Sequence, residues 1–242
     1  MTKSLGRRVV AEGLGTGFLL TAIVGSGIMG ERLAGGNAAV ALLANTLATG
    51  AALLALILTF GPVSGAHLNP LVTLAESWRG GLGRGDLLPY LAAQFGGALA
   101  GVAAADAMFG EPIFAWSLHG RPGAGQFLSE FIATFGLIVV IKSCARRQPA
   151  SVPYAVASYI TSAYWFTAST SFANPAVTLA RSLTDTFAGI HRADVPAFAA
   201  AQVLGAGAAT LLMDWLVPAL PMALLRDARP AVPSPAERKE AS

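Results

Sequence analysis

The sequence predicts an all-α membrane protein in which six spanning helices and two short re-entrant half-helices form an inverted repeat. Three observations carry that prediction. Of the 242 residues, 54% are hydrophobic and 12% are charged, about half the charge of a soluble domain. Six apolar segments, at about 9–30, 38–61, 87–109, 127–143, 152–169 and 194–219, suffice for bilayer crossings. Two further apolar stretches, at about 68–78 and 173–183, are too short to cross, and both begin at Asn-Pro.

The first run, Val9 to Met29, follows Lys3, Arg7 and Arg8. It is too long for the apolar region of a signal peptide and it contains Glu12, so it reads as a retained first span. The net charge of +3 sits at the ends of apolar runs, as in membrane proteins, and gives no reason to expect a nucleic-acid partner. With the N-terminus in the cytoplasm, the inner side receives 12 basic residues and the outer side only Arg32, Arg121, Arg181 and Arg192. That bias supports an even number of crossings and places both termini inside. Residues 226–242, with Pro230, Pro233 and Pro235 and a charged end, read as a disordered cytoplasmic tail. The single Cys144 has no partner for a disulfide within the chain.

Repetition organises the rest. An offset of 118 pairs Glu12 with Glu130 and Thr16 with Thr134. An offset of 105 aligns the nine residues from Asn69 with those from Asn174, seven of them identical. An offset of 108 pairs Gln94 with Gln202, Gly97 with Gly205 and Asp106 with Asp214. Each half, at about 5–110 and 125–220, holds three spans, so the second half must insert upside down. Inverted repeats place a transport path at the interface of their halves. The whole of 1–225 is therefore expected to be one channel domain.

Asn is a favoured N-cap and Pro a favoured first helical residue. Asn69-Pro70 and Asn174-Pro175 should each start a short helix, and inversion points the two starts at each other near the bilayer midplane. Each Asn carbonyl oxygen would cap its own helix and leave the side-chain NH2 facing the lumen. Two donors and two positive helix ends would hold the oxygen of a passing neutral solute, disfavour cations and interrupt a proton-conducting water chain.

These residues resemble the major intrinsic proteins, or aquaporins, along about 215 positions. Gly65-Ala-His-Leu-Asn-Pro-Leu71 and Ser171-Phe-Ala-Asn-Pro-Ala176 are similar to that family's two Asn-Pro-Ala loops, and Ala11–Thr16 and Tyr90–Gly97 to its first and third spans. The resemblance implies a right-handed bundle, a homotetramer with one pore per subunit, and small neutral solutes such as water and glycerol. It implies a passive channel rather than an enzyme, with no cofactor and no metal.

Departures from the family sharpen the expectation. Leu71 stands where Ala is usual and should adjust packing or local pore width. Val177 stands where members normally carry the constriction Arg. Ungapped counting places Thr49, Ser162 and Ser171 in the same constriction, so a wide, uncharged aperture is expected. Arg181, one turn beyond Val177, either replaces the missing charge at the vestibule, leashed by Asp185, or forms an ion pair on the helix surface. The run Asn174–Ile190 resembles a bacterial subgroup of arsenic-resistance operons, which implies passage of arsenite and methylated arsenicals across the inner membrane.

Glu12 and Glu130 are costly at membrane depth and are expected to hold the loop N–H groups; a proton relay is the alternative. Gln94 and Gln202 should bond between helices, and Asp106 and Asp214 should lie at the interfaces. His67, before the first half-helix, is expected to line the pore or brace the loop. Gly13-Gly17 and Gly97-Gly101 carry the spacing for close helix contact. Competing functions are a glycerol or water facilitator without an arsenic role, a proton-coupled transporter using Glu12 or Glu130, and an intramembrane hydrolase using Ser26.

Overall fold

The computed structural model describes residues 3–217, so the tail expected over 226–242 lies outside the described residues. Eight α-helices occur among them: α1 (Leu5–Leu33), α2 (Ala38–Ser64), α3 (Pro70–Trp78), α4 (Arg84–Phe109), α5 (Ala124–Arg147), α6 (Val152–Phe166), α7 (Pro175–Arg181) and α8 (Val195–Leu216). Five of these, α1, α2, α4, α5 and α8, are long and apolar enough to cross a membrane. The short pair α3 and α7 begin at the expected Asn-Pro dipeptides.

The remaining expected span, at 152–169, is shorter than the apolar run suggested. Its 15 residues rise about 22 Å, less than the roughly 30 Å hydrocarbon core. Polar bonds pull the following residues out of helical register. The Ala168 N–H donates to Ser129 Oγ and the Ser169 hydroxyl donates to Glu130, so 167–174 form a re-entrant loop instead of a last turn.

Packing follows the repeat. In the first half α1 packs on α4 and α2, and in the second half α5 packs on α8 and α6. The half-helices cross between halves, α3 touching α4 and α8, and α7 touching α8 and α4. Glycines permit the closest approach. A Cβ at Gly97 or Gly101 would overlap the carbonyl oxygen of Gly13 or Gly17, and one at Gly205 would overlap that of Phe131, the repeat-mate of Gly13. Small residues of this kind let membrane helices meet backbone to backbone.

Trp78 and Trp215 are exposed at the N-terminal face, where α1 starts and α8 ends, and Trp116 and Trp165 at the opposite face. Indoles at two levels mark the two membrane–water interfaces. Asp214 is partly exposed at the first of these levels, as expected, among Arg79, Lys142 and Arg146. Asp106 is not interfacial. It is fully buried and accepts from the Thr184 hydroxyl at 2.8 Å, because the loop after α7 folds over it.

Candidate functional site

The two loops that lead into α3 and α7 are held by the same network twice. Glu12 accepts from the Ser64 hydroxyl (2.6 Å) and the His67 N–H (3.0 Å) on one oxygen. Its other oxygen takes the Leu68 N–H (2.8 Å) and the Gln94 amide (2.8 Å). Glu130 accepts from Ser169 (2.5 Å), Phe172 N–H (2.9 Å), Ala173 N–H (2.9 Å) and Gln202 (2.5 Å) in the same order. Each glutamine also donates to a half-helix threonine, Gln94 to Thr73 and Gln202 to Thr178, both at 2.8 Å. Every carboxylate lone pair thus has a donor, which is what permits a fully buried carboxylate at this depth.

That support is needed because the loops are strained. Ala66 and Leu68 in the first loop, and Thr170, Ser171 and Ala173 in the second, have φ between 48° and 61°. Left-handed backbone costs about 1–3 kcal/mol per non-glycine residue and persists only where its surroundings hold it. Four N–H groups bound by two carboxylates supply that hold.

The half-helix caps form as the sequence suggests, with one addition. Asn69 Oδ1 accepts from the Leu71 N–H (2.9 Å), and Asn174 Oδ1 from the Ala176 N–H (3.0 Å). Each side-chain NH2 then reaches across to the other loop. Asn69 donates to the Ala173 carbonyl and Asn174 to the Leu68 carbonyl, both at 2.8 Å. These crossed bonds lock the two helix starts together, and each amide retains a second hydrogen.

A cavity of about 750 Å³ runs from Glu76 and Pro149 near the N-terminal face, past Asn69 and Asn174, to Val177 and Arg181 near the opposite face. Most of its wall is aliphatic, with Ile23, Leu53, Ile57, Leu137 and Ile160 among the lining residues. Its polar lining comes from the two loops and from Thr49, Tyr164 and Arg181, with Glu76 and Tyr154 besides.

Thr49, Ser171 and Val177 all line this cavity, and so does His67. The His67 ring lies 3.1 Å from the Thr73 hydroxyl and tilts against Tyr90, so it braces the loop as well as lining the cavity. Ser162 is misplaced by the ungapped count. It is exposed on the outer side of α6 and its hydroxyl donates to the Tyr159 carbonyl. The lumen face of α6 is Val156, Ile160 and Tyr164, and the Tyr164 hydroxyl donates to Thr49 Oγ1 at 3.3 Å. A spacing of four residues along α6 was the sequence signal for this tyrosine. Leu71 also lies off the path. It packs with Val72, Ala75, Ile138 and Ala209, because the first turn of α3 presents it to α5 and α8.

Arg181 is neither a surface ion pair nor leashed by Asp185. It is 2% exposed, lines the cavity, donates from Nε to the Ala188 carbonyl, and lies 3.5 Å from the Phe172 ring centroid. Asp185 instead accepts from the Leu118 N–H at 2.8 Å. A second cation, placed by the sequence only among the outer basic residues, also reaches this ring. Arg121, in the loop between α4 and α5, lies 5.0 Å from the same ring and donates to the carbonyls of Gly189 (3.0 Å) and Ser169 (3.2 Å). Burial pulls its guanidinium below the ordinary range, with the charge of Glu130 opposing. Among the described residues neither Arg121 nor Arg181 has a carboxylate within 4 Å of its guanidinium. Phe172 is the repeat-mate of His67, so the two ends of the path carry different rings at equivalent positions.

The family described as "Major intrinsic protein" matches residues 1–161, about two thirds of the chain. The chain belongs to this family. It is similar to aquaglyceroporin AqpS of Rhizobium meliloti (strain 1021), 52% identical over 219 residues, covering 90% of this chain and 94% of the relative. It is also 31% identical over 246 residues to a protein described as a probable aquaporin, AqpM, of Archaeoglobus fulgidus, covering 89% and 99%. The fold is that of the X-ray structure of the aquaglyceroporin from Plasmodium falciparum, with a TM-score of 0.73, 23% identity and coverage of 93% and 100%. This major intrinsic protein is an integral membrane channel for small solutes, and not an enzyme.

Proposed function

We propose that residues 1–225 form one channel domain of the aquaglyceroporin type that conducts water, glycerol, arsenite and methylated arsenicals down their gradients. The observation that carries this reading is that Val177 lines the same cavity as Thr49 and Ser171, while Arg181, the cation on α7, is a turn further along and pinned to Phe172. A guanidinium at position 177 would fill the lumen and donate to it; a valine leaves space and an apolar face. The aperture is then Thr49, Tyr164, Ser171 and Val177, with hydroxyls on one side and apolar surface on the other. Arsenite, a neutral trihydroxide, fits the hydroxyls, and the methyl of a methylarsenical fits the valine.

Asn69 and Asn174 take the role of paired donors at the midplane, each through the hydrogen left after its crossed bond. Glu12 and Glu130 act as loop supports, which favours a passive channel over a proton relay because all their lone pairs are occupied. His67 lines the inner mouth. Arg181 and Arg121 give the outer mouth a positive potential without narrowing the aperture. Four subunits, the bacterial inner membrane and cytoplasmic termini complete the proposal.

Stopped-flow light scattering on proteoliposomes tests it, comparing water, glycerol and methylarsenate for the wild type and Val177→Arg. Methylarsenate flux should fall far more than water flux in the variant. Water and glycerol passage with no methylarsenate uptake in the wild type would reduce the protein to an ordinary facilitator. Unchanged methylarsenate flux through folded Val177→Arg would remove position 177 from the aperture.

A further inference from the structure

A second hollow lies outside the solute path. It is an apolar groove of about 310 Å³ between α3 and α8, open to the membrane side and lined by Leu71, Leu74 and Trp78 on one wall and Val203, Gly207 and Leu211 on the other. Trp78, Val203 and Leu211 are largely exposed along it.

The groove ends at a charge cluster. Arg79 directly follows Trp78, and Asp214 lies one turn beyond Leu211. The Asp214 Oδ1 atom is approached by Arg79 Nε at 3.2 Å, Arg146 Nη2 at 3.3 Å and Lys142 Nζ at 3.5 Å. Among the described residues no other carboxylate reaches these three cations, which leaves two positive charges unmatched. They are also poorly hydrated. Their side chains are 24%, 15% and 6% exposed, and the buried Arg146 Nε has no partner among the described residues. Cations taken from water without counter-charge are costly. An anion arriving at this spot recovers that cost.

The level of the cluster identifies the anion. Trp78 and Trp215 flank it, and exposed indoles at a membrane protein's surface sit at the headgroup level. An apolar slot running from this level into the hydrocarbon, with a surplus of basic side chains at its mouth, matches one ligand class. We propose that the α3–α8 groove binds an anionic phospholipid, with an acyl chain between Leu74 and Leu211 and the phosphate against Arg79 and Arg146. The site lies behind α3, the half-helix whose N-terminal Asn69 faces the solute path, so an occupied groove would also support α3 from its lipid side.

Native mass spectrometry of the full-length protein tests this with phosphatidylglycerol and phosphatidylcholine of identical chains. The wild type should retain phosphatidylglycerol preferentially. Arg79→Gln/Arg146→Gln should lower its affinity about thirtyfold, the loss of two surface cations, and abolish the preference. Gly207→Leu fills the groove at a position where a Cβ meets open space, so it should weaken binding without altering charge. Thermal unfolding at wild-type temperature shows that each variant folds. Equal retention of the two lipids by the wild type, an unchanged preference in the double variant, or displacement by millimolar inorganic phosphate would overturn the proposal. So would cross-linking of two copies through Val203→Cys, which would assign the groove to a protein interface.

Discussion

Replacing Glu130 by Gln keeps the shape of the second loop support and removes its charge. In the wild type four donors converge on the carboxylate: Ser169 and Phe172 on Oε1, Ala173 and Gln202 on Oε2. A glutamine oxygen can serve the first pair, but its NH2 then faces two donors. Two charge-assisted bonds are lost at about 1.5–3 kcal/mol each, or roughly 3–6 kcal/mol. Gln202 can recover part of this. Its Oε1 is buried without a partner, so turning its amide over would let it accept from the new NH2. The Ala173 N–H has no such recourse, which sets a floor of about 1.5 kcal/mol. In a chain of this size that floor is a fall of about 3–6 °C in unfolding temperature. Ala173 is also held at φ 49°, and its carbonyl accepts the Asn69 amide, so the crossed bonds at the midplane should loosen and water flux should drop. The assay is thermal unfolding in detergent with light scattering on proteoliposomes. An unchanged unfolding temperature with full flux would refute the argument that the carboxylate charge holds the loop.

Gly101→Ala should destabilise by about 1–3 kcal/mol through overlap with the Gly17 carbonyl, whereas Gly96→Ala, with open space at its Cβ, should be neutral or slightly stabilising; thermal unfolding of the pair separates helix contact from simple propensity. Tyr164→Ala should raise glycerol flux several-fold relative to water by removing the aromatic wall beside Thr49, while Ser162→Ala should leave both unchanged, since that serine faces outward. The reverse ranking in a swelling assay would return Ser162 to the path.

Much of the site could be read from the chain because the repeat writes each part twice. One Asn-Pro, one buried Glu or one Gln is ambiguous alone; at matching offsets they define two strained loops that each donate to a buried carboxylate acceptor. The residues whose roles escaped sequence reasoning occur once. Arg121 lies in the loop joining the halves, outside the repeat, and nothing local ties it to Phe172. Tyr164 was hidden by a length difference, since the chain leaves helical register at Thr167 earlier than its apolar character implies.

The sequence alone determined the eight helical segments, their inversion and the pairing of Glu12 with Glu130, because burial of apolar spans and capping of Asn-Pro are local or periodic demands. Tertiary structure decided which side chains face the path. Helix rotation sends Leu71 to α5 and α8 and Ser162 to the outer surface, and it brings Arg181 inside, onto a ring from the preceding loop. Those choices depend on how neighbouring helices fill space, and no single segment carries that information.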